Sequence, residues 1–362
     1  MVSIIIPAYN EEKTISKTIE SVLKLNYPKE KLEIIVINDG STDKTAEFVK
    51  TFKEVVLINK KNTGKANSVN IGIKKAKGEF IATLDADSFV ESNALNYMLG
   101  YFEEDEKVAA VVLVLKVHEP ENIIQSMQYI EYLVSAFFTK ILSFLDAIMV
   151  TPGPFTVYKA SIFEKIGYFD ENNITEDTEI ALRIQSAQYK IKSSYNTRVH
   201  TVSPVNIQKL LKQRIRWYTG FLENAYRYRF LCSKKYGDFG VLMFPMRLIL
   251  LFLGLFIFVY TFSNATHTLY RYLYSGYLAG LPSFSIDLFY LQGYDLGLFF
   301  IVALLIFFVL YLISRQFNEQ NPVVFFISYM VFSFLLIFFW LYIITRKCIM
   351  KMIGRQELWK GR

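Results

Sequence analysis

Glu79-Phe-Ile-Ala-Thr-Leu-Asp-Ala-Asp-Ser-Phe-Val90 decides how this chain is read. Residues 80–84 are a short run of mostly strand-forming side chains after a Lys-Gly break, as in a buried strand of an α/β sheet. Asp85 and Asp87 follow at its C-terminal end. Alternation along an extended chain points the two carboxylates the same way. In an open α/β sheet that end is also where ligands collect. Two hard oxygen donors on one side suit a divalent cation that keeps several waters and shares its other positions with phosphates. The plain alternative is an acidic turn capping the next helix, and Asp-x-Asp alone does not separate the two.

On either side of this stretch, strands alternate with helices. Val2-Ser-Ile-Ile-Ile-Pro7 is a β-branched strand stopped by proline. Ala8-Tyr-Asn-Glu-Glu12 opens a helix over 12–25 with Ile15, Ile19, Val22 and Leu23 on one face. A second strand over 32–38 ends in Asn38-Asp-Gly-Ser-Thr-Asp43, whose Ser41, Thr42 or Asp43 can cap a helix running to 52. A third strand covers 55–58. Lys61-Asn-Thr-Gly-Lys-Ala-Asn-Ser-Val-Asn70 is then a loop entering a helix that ends near Gly78. The alternation implies an α/β chain with a doubly wound, mostly parallel, Rossmann-like sheet and right-handed crossovers. Asp39, Asp85 and Asp87 would converge on one edge, where a nucleotide site belongs.

A further strand is expected over 108–115. Residues 129–150 are strongly apolar yet carry Glu131, Lys140 and Asp146, which reads as a helix buried or lying at a membrane interface rather than a span. Thr151-Pro-Gly-Pro-Phe155 turns into a strand over 155–158, and Thr175-Glu-Asp177 heads a helix over 178–188. Those residues suit an N-terminal cap with dipole-favoured acids, which leaves room for an acid presented to a substrate. On a helix over 208–220, Gln213, Arg216 and Trp217 share a face at i, i+3 and i+4. A bidentate donor beside a flat aromatic makes a clamp for a phosphate and a sugar ring, or else a membrane-surface pair.

The 362 residues are 52% hydrophobic and 16% aromatic, too greasy for an ordinary soluble enzyme. The excess begins near Lys235, which divides the chain into domains at 1–235 and 236–362. Three nearly charge-free runs follow, at 248–262, 296–313 and 323–344. The last spans ~30 Å of hydrocarbon outright and the second is just long enough, while the first needs 241–247 with Arg247 snorkelling. The tyrosine-rich stretch 263–295 reads as an interfacial hairpin. Much of the net charge of +7 flanks these runs, at Arg346, Lys347, Lys351, Arg355, Lys360 and Arg362, and reads as membrane-surface contact. No nucleic-acid-binding module is present. Three crossings would put this basic tail opposite the N-terminal domain, whereas the positive-inside rule wants it in the cytosol. Either the tyrosine-rich stretch crosses as well or one of the three runs does not, and a cytosolic tail is expected. No leader is expected, since Met1 enters a strand directly, and Cys232 and Cys348 offer no disulfide or zinc framework. The expectation is a multi-pass protein of the cell membrane with a cytosolic N-terminal domain.

Four separated elements together resemble the family 2 inverting glycosyltransferases, in the membrane-integrated branch of cellulose, chitin and hyaluronan synthases and glucosylceramide synthases. They are Ser3 to Glu12 with Asn38 to Asp43, Asp85-Ala-Asp87, Thr175-Glu-Asp177 and Gln213-Arg-Ile-Arg-Trp217. Asn62-Thr-Gly-Lys-Ala-Asn67 looks like the family's nucleotide-side loop, and Glu357-Leu-Trp-Lys-Gly-Arg362 like the branch's usual ending. The resemblance covers roughly residues 2–220. It departs from the branch in showing no membrane segment before the N-terminal domain and no clear gating loop, which bear on processivity and export.

The resemblance implies a GT-A fold, a nucleotide-sugar donor (most often UDP-linked), Mg2+ or Mn2+, and a glycan or lipid acceptor at the membrane. By motif, Tyr9, Glu11 and Asp39 would hold base and ribose. Lys65 and Asp85 would lie along the nucleotide and diphosphate, and Asp87 would ligate the metal. Asp177 would be the base, Arg216 and Gln213 the diphosphate clamp, and Trp217 the acceptor platform. The chemistry is consistent with this. Displacing a nucleoside diphosphate builds negative charge that a cation and Arg216 can stabilise, while the incoming hydroxyl needs a carboxylate apart from the metal pair. Rival readings are transfer of one sugar to a membrane lipid, such as a polyprenyl phosphate or glycolipid, and a non-catalytic membrane scaffold or transporter. A soluble nucleotidyltransferase leaves the apolar runs and Trp217 without a use.

Overall fold

The computed structural model describes residues 1–279, 293–319 and 321–352. In chain order it runs β1 (Val2–Ala8), α1 (Ile15–Leu23), β2 (Leu32–Asn38), α2 (Thr45–Lys50), β3 (Val55–Asn59), α3 (Lys65–Lys75), β4 (Phe80–Thr83), β5 (Ser88–Val90) and α4 (Ala94–Glu104). Then come β6 (Val108–Val117), α5 (Ile123–Phe144), β7 (Thr156–Lys159), α6 (Ser161–Ile166), α7 (Glu176–Ser186), β8 (Lys190–Thr201) and α8 (Ile207–Arg227). Three apolar helices follow: α9 (Phe244–Ala279), α10 (Gly293–Gln316) and α11 (Pro322–Met352).

The described strands form one sheet in the order β3-β2-β1-β4-β7-β6-β8-β5. The pairings β3-β2, β2-β1 and β1-β4 are parallel, as the alternation of elements predicts. The far half is mixed: β7 runs antiparallel to both β4 and β6, and β5 antiparallel to β8, while β6 and β8 are parallel, so the sheet is mostly parallel, as expected. Alternation along β1 explains why helices coat both faces. Ile4 and Ile6 pack with Ile15, Ile19 and Val22 of α1 and Met98 and Phe102 of α4. Ile5, pointing the other way, packs with Val69 and Ile73 of α3 and Ile180 and Ile184 of α7. Each such fully buried side chain contributes roughly 1.5–3 kcal/mol by leaving water.

β8 has no counterpart among the sequence expectations. Its buried positions include Ser193, Ser194 and Thr197, so the strand carries almost no hydrophobic alternation to read. α5 combines the two readings offered for 129–150, with Leu133 and Val134 buried while Phe138 and Phe144 are exposed.

The chain divides into two compact units, Met1–Met243 with the chain from Phe338 onward, and Phe244–Ile337. The division therefore falls later than 235, with Phe239 a buried part of the first unit. It is also discontinuous, since the end of α11 belongs to that unit. In the second unit α9, α10 and α11 meet through phenylalanines, with Phe258 edge-on to Phe334 and Phe307 edge-on to Phe326.

Phe239–Tyr277 and Pro322–Met350 are long and apolar enough to cross a membrane, each with a mean hydropathy of 2.5. Only 11% and 17% of their most apolar stretches are buried within the protein, unlike the core helix of a soluble domain. The expected interfacial hairpin at 263–295 is corrected over its first half, where α9 continues to Ala279. No glycine or proline interrupts the sequence between Gly254 and Gly276. Residues 280–292 and the tail at Arg355, Lys360 and Arg362 lie outside the described residues.

Candidate active site

The carboxyl ends of β1, β2 and β4 lie side by side: Ala8 pairs with Asn38, and Ile5 with Thr83. Tyr9 and Glu11, Asp39, and Asp85 with Asp87 therefore leave the sheet at one edge. The first two loops are stitched together. Asn10, at φ 56, accepts from the Thr42 N–H at 2.8 Å, and the Glu11 N–H donates to Thr45 Oγ1 at 2.8 Å. Tyr9 is 41% exposed, open to a ligand. Asp39 is buried and organises the next loop, accepting from the Thr63 and Gly64 N–H groups, both at 2.9 Å, and from the Lys60 ammonium. Gly64, at φ 98, turns this loop into α3, a left-handed conformation that suits glycine.

Lys65, the first residue of α3, joins two acidic segments. It is ion-paired with Asp85 and lies 3.7 Å from Glu176 Oε1 at the head of α7. Burial works against its ammonium, but Asp85, Glu176 and Asp177 outweigh it and raise its pKa above that of an ordinary lysine. Gly153 packs against this ion pair. A Cβ there would come within 2.9 Å of Asp85 Oδ2 and crowd the Lys65 ammonium.

Asp87 is pushed up to about 7 by burial, then by the neighbouring charges of Asp85 and Glu11, against the pull of Lys65 and Ser88. Glu11 is raised too, by burial and by Asp85 and Asp43, while Thr14 holds it back with a 2.7 Å hydrogen bond. A divalent cation fits this crowd of carboxylates. Among the described residues no group of three metal-ligating side chains exists. Asp85 and Asp87 would thus supply only part of a coordination shell, leaving positions for water and substrate oxygens, as Mg2+ or Mn2+ prefers.

Asp177 lies in the first turn of α7 and is raised to about 6, by burial and Glu176, against the pull of Lys65, Arg216 and the Thr178 N–H. Its carboxylate accepts from that N–H at 2.7 Å, and its backbone carbonyl from the Thr151 N–H and hydroxyl at 3.2 and 2.9 Å. Thr175 was expected as a capping residue; its hydroxyl instead accepts from Asn224 of α8 at 3.0 Å. Gly220, one turn before Asn224, lets α8 approach so closely that a Cβ would lie 2.8 Å from Thr175 Cβ. Arg216, Gly220 and Asn224 recur at i+4, so the same stripe that touches α7 carries the guanidinium to Asp177. Gln213 precedes them on that face, and its Oε1 is buried without a hydrogen-bond partner among the described residues.

Sequence reasoning passed over Arg214. Its guanidinium is buried and bidentate to Glu131 of α5 at 2.8 and 2.6 Å, and it lies 4.6 Å from the centre of the Trp217 ring. The signal was Glu131 itself, an acid in an apolar helix that needs a partner. Gly153 was equally quiet, hidden in a Pro-Gly-Pro turn.

Residues 3–167 match the family model described as Glycosyl transferase family 2. The poly-beta-1,6-N-acetyl-D-glucosamine synthase of Staphylococcus epidermidis is 36% identical over 224 residues, covering 60% of this chain and 54% of the relative. That of Staphylococcus aureus (strain COL) is 34% identical over 266 residues, covering 70% and 64%. The chain thus spans between half and two-thirds of the length of these curated relatives. Among solved structures, the mannosyltransferase PcManGT from Pyrobaculum calidifontis, in complex with GDP-Man and Mn2+, has the same fold. It is 23% identical, with a TM-score of 0.50 over 62% of this chain and 63% of that one.

Proposed function

We propose that this chain, whose residues 3–167 form a family 2 glycosyltransferase domain, is a membrane-bound inverting transferase. It moves a sugar from a UDP-linked donor to a growing polysaccharide. The observation that carries the reading is Lys65, which binds Asp85 and Glu176 together and so brings the Asp-x-Asp and Thr-Glu-Asp motifs to one place. The relatives' names favour N-acetylglucosamine as the sugar and a polymer as the product.

In this mechanism Tyr9 and Glu11 hold the base and ribose, and Asp39 shapes the loop beneath them. Asp85 and Asp87 would hold Mg2+ or Mn2+ together with the donor's phosphates, and the cation would supply positive charge for the diphosphate. Asp177 accepts the proton of the attacking hydroxyl as its oxygen bonds to the anomeric carbon. The bond from that carbon to the diphosphate breaks on the opposite face, and UDP leaves. Arg216 and Lys65 meet the charge of the departing diphosphate without giving up a proton. Gln213 has a free acceptor atom for a substrate hydroxyl, and Trp217 offers a flat face to the acceptor sugar.

Membrane placement is part of the proposal. Tyr218 of α8 stacks on Trp340 of α11 at 3.9 Å, and Glu223 pairs with Lys347 at 2.9 Å. These contacts support an even number of crossings between Met243 and Trp340, with Arg346 and Lys347 on the catalytic, cytosolic side. That would satisfy the positive-inside rule where three crossings do not. Residues 322–339 then remain for the hydrocarbon, about 27 Å of helix.

The test is nucleotide release from a panel of nucleotide sugars by purified protein with Mg2+ or Mn2+. UDP release from UDP-N-acetylglucosamine with a product ladder spaced by one sugar supports the reading. A product one sugar heavier than a membrane lipid would replace polymerisation by single addition. Release from no donor would overturn both.

A further inference from the structure

α8 works on two faces. One carries Gln213, Arg216, Gly220 and Asn224 toward α7 and the acids. The other carries Arg214, Tyr218 and Phe221, spaced at i+4 and i+7, and neither the family motif nor the proposed mechanism uses it. On this second face Arg214 is clamped by Glu131 of α5. Tyr218 is the electrostatic neighbour of the Arg214 guanidinium. Its ring lies parallel to the Trp340 indole, 8° between planes, and Phe221 meets the same indole edge-on at 6.0 Å. Seven residues further along α11, Lys347 reaches Glu223. A continuous chain of contacts, Glu131–Arg214–Tyr218–Trp340, thus ties α5, α8 and α11 together directly behind Trp217, whose ring rests on Arg214.

Resting on the reading of Trp217 as acceptor platform, we propose that Trp340 is a positioning residue of the transfer reaction. It fixes the rotation of α8 through Tyr218 and Arg214, and so sets the plane that Trp217 shows to the acceptor. The apolar helix α11 is then part of the catalytic apparatus as well as an anchor. A helix held on one face only is free to roll about that contact. A roll about the Gly220–Asn224 contact with α7 moves Trp217, off that line, more than Arg216, which lies on it. Stacked aromatic pairs hold such an arrangement with modest energy, while small misplacements of a substrate-positioning group cost rate steeply. Most of the donor site comes from β1, β2, β4 and α3, and Arg216 is its link to α8. Asn224, bonded to Thr175, and the close-packed Gly220 hold that stripe of α8 against α7, so UDP affinity should change far less than use of the acceptor.

The experiment compares the full-length protein in lipid with its Trp340→Ala, Trp340→Phe and Tyr218→Phe variants. UDP affinity and stoichiometry are measured by calorimetry. Turnover of saturating UDP-N-acetylglucosamine is measured against a titrated β-1,6-linked N-acetylglucosamine oligosaccharide. Trp340→Ala should keep UDP affinity and stoichiometry while the oligosaccharide KM rises about tenfold. Trp340→Phe, which keeps a stacking ring, should recover most of that loss, and Tyr218→Phe should fall between. An unchanged oligosaccharide KM in Trp340→Ala overturns the proposal, as does a loss confined to the stoichiometry of UDP binding, which would mean only a smaller folded fraction. If Trp340→Ala cannot be isolated, an unchanged KM in Tyr218→Phe overturns it equally. Wild-type protein that transfers nothing to the oligosaccharide would instead refute the polymerase reading on which the proposal stands.

Discussion

Replacing Asp177 by asparagine should separate stability from catalysis in opposite directions. Burial and Glu176 raise the carboxyl from 3.8 to about 6. At ~1.4 kcal/mol per unit, its ionised form costs the fold at most about 3 kcal/mol. The sign follows from the direction of the shift. Between pH 4 and 6 the folded protein binds the proton more tightly than the unfolded chain, so stability falls as pH rises through this window. Asparagine keeps an oxygen to accept from the Thr178 N–H but carries no charge. Asp177→Asn should therefore melt with the wild type near pH 4 and hold level with it or above it at pH 8. Its turnover should fall by ~10²–10⁴, because the acceptor proton has no base. In the wild type at saturating Mg2+, kcat/KM should rise with pH up to about 6 and then level off. The assay pairs a melting series across pH with UDP calorimetry and turnover. A variant that melted well below the wild type at pH 8, or that lost UDP binding while keeping turnover per bound donor, would refute the assignment and move Asp177 into the donor site.

Other parts of the site are open to equally direct tests. Asp87→Ala should abolish metal-dependent transfer without unfolding the protein. In the wild type, Mn2+ affinity should weaken about tenfold per pH unit below 7, since the Asp87 proton competes with the cation; affinity independent of pH would contradict this. Gly153→Ala places a methyl group 2.9 Å from Asp85 Oδ2, and should weaken UDP affinity by more than tenfold in calorimetry while leaving the melting point within a few degrees. Arg216→Lys keeps the charge but loses the fork that grips a diphosphate in two places, so both UDP affinity and turnover should drop. Cys232 and Cys348 are both exposed. In single-cysteine variants an impermeant thiol reagent should label both only after cells are opened; labelling of one in intact cells would mean an odd number of crossings.

How far the sequence could be read depended on whether a residue's role is local. β1, β2 and β4 announce themselves because a strand covered on both faces needs an unbroken apolar run, and their acids stand at the ends of those runs. α7 and α8 are legible through helical spacing. β8 is not, because serine and threonine fill Ser193, Ser194, Thr197 and Thr201 among its buried positions, leaving only Ile191 and Val199 as buried apolar markers. Gly153 and Gly220 matter through what approaches them from distant segments, and no local pattern marks such an approach. Glu131 and Arg214 stand 83 residues apart, so although Glu131 in an apolar helix calls for a partner, no local spacing says which residue it is. The extension of α9 through the tyrosines shows the opposite error. Interfacial composition suggested a hairpin, but a helix without breakers continues through polar residues once its preceding turns are formed.

The central claim is that the acids gathered by Lys65 transfer a sugar rather than only bind a nucleotide. The most direct measurement is the ratio of UDP released to sugar incorporated by the full-length protein in lipid vesicles supplied with radiolabelled UDP-N-acetylglucosamine and Mg2+ or Mn2+. The account predicts one UDP for each sugar incorporated and neither product in EDTA or with Asp177→Asn. Release of UDP without incorporation, or incorporation that persists in EDTA, would contradict it.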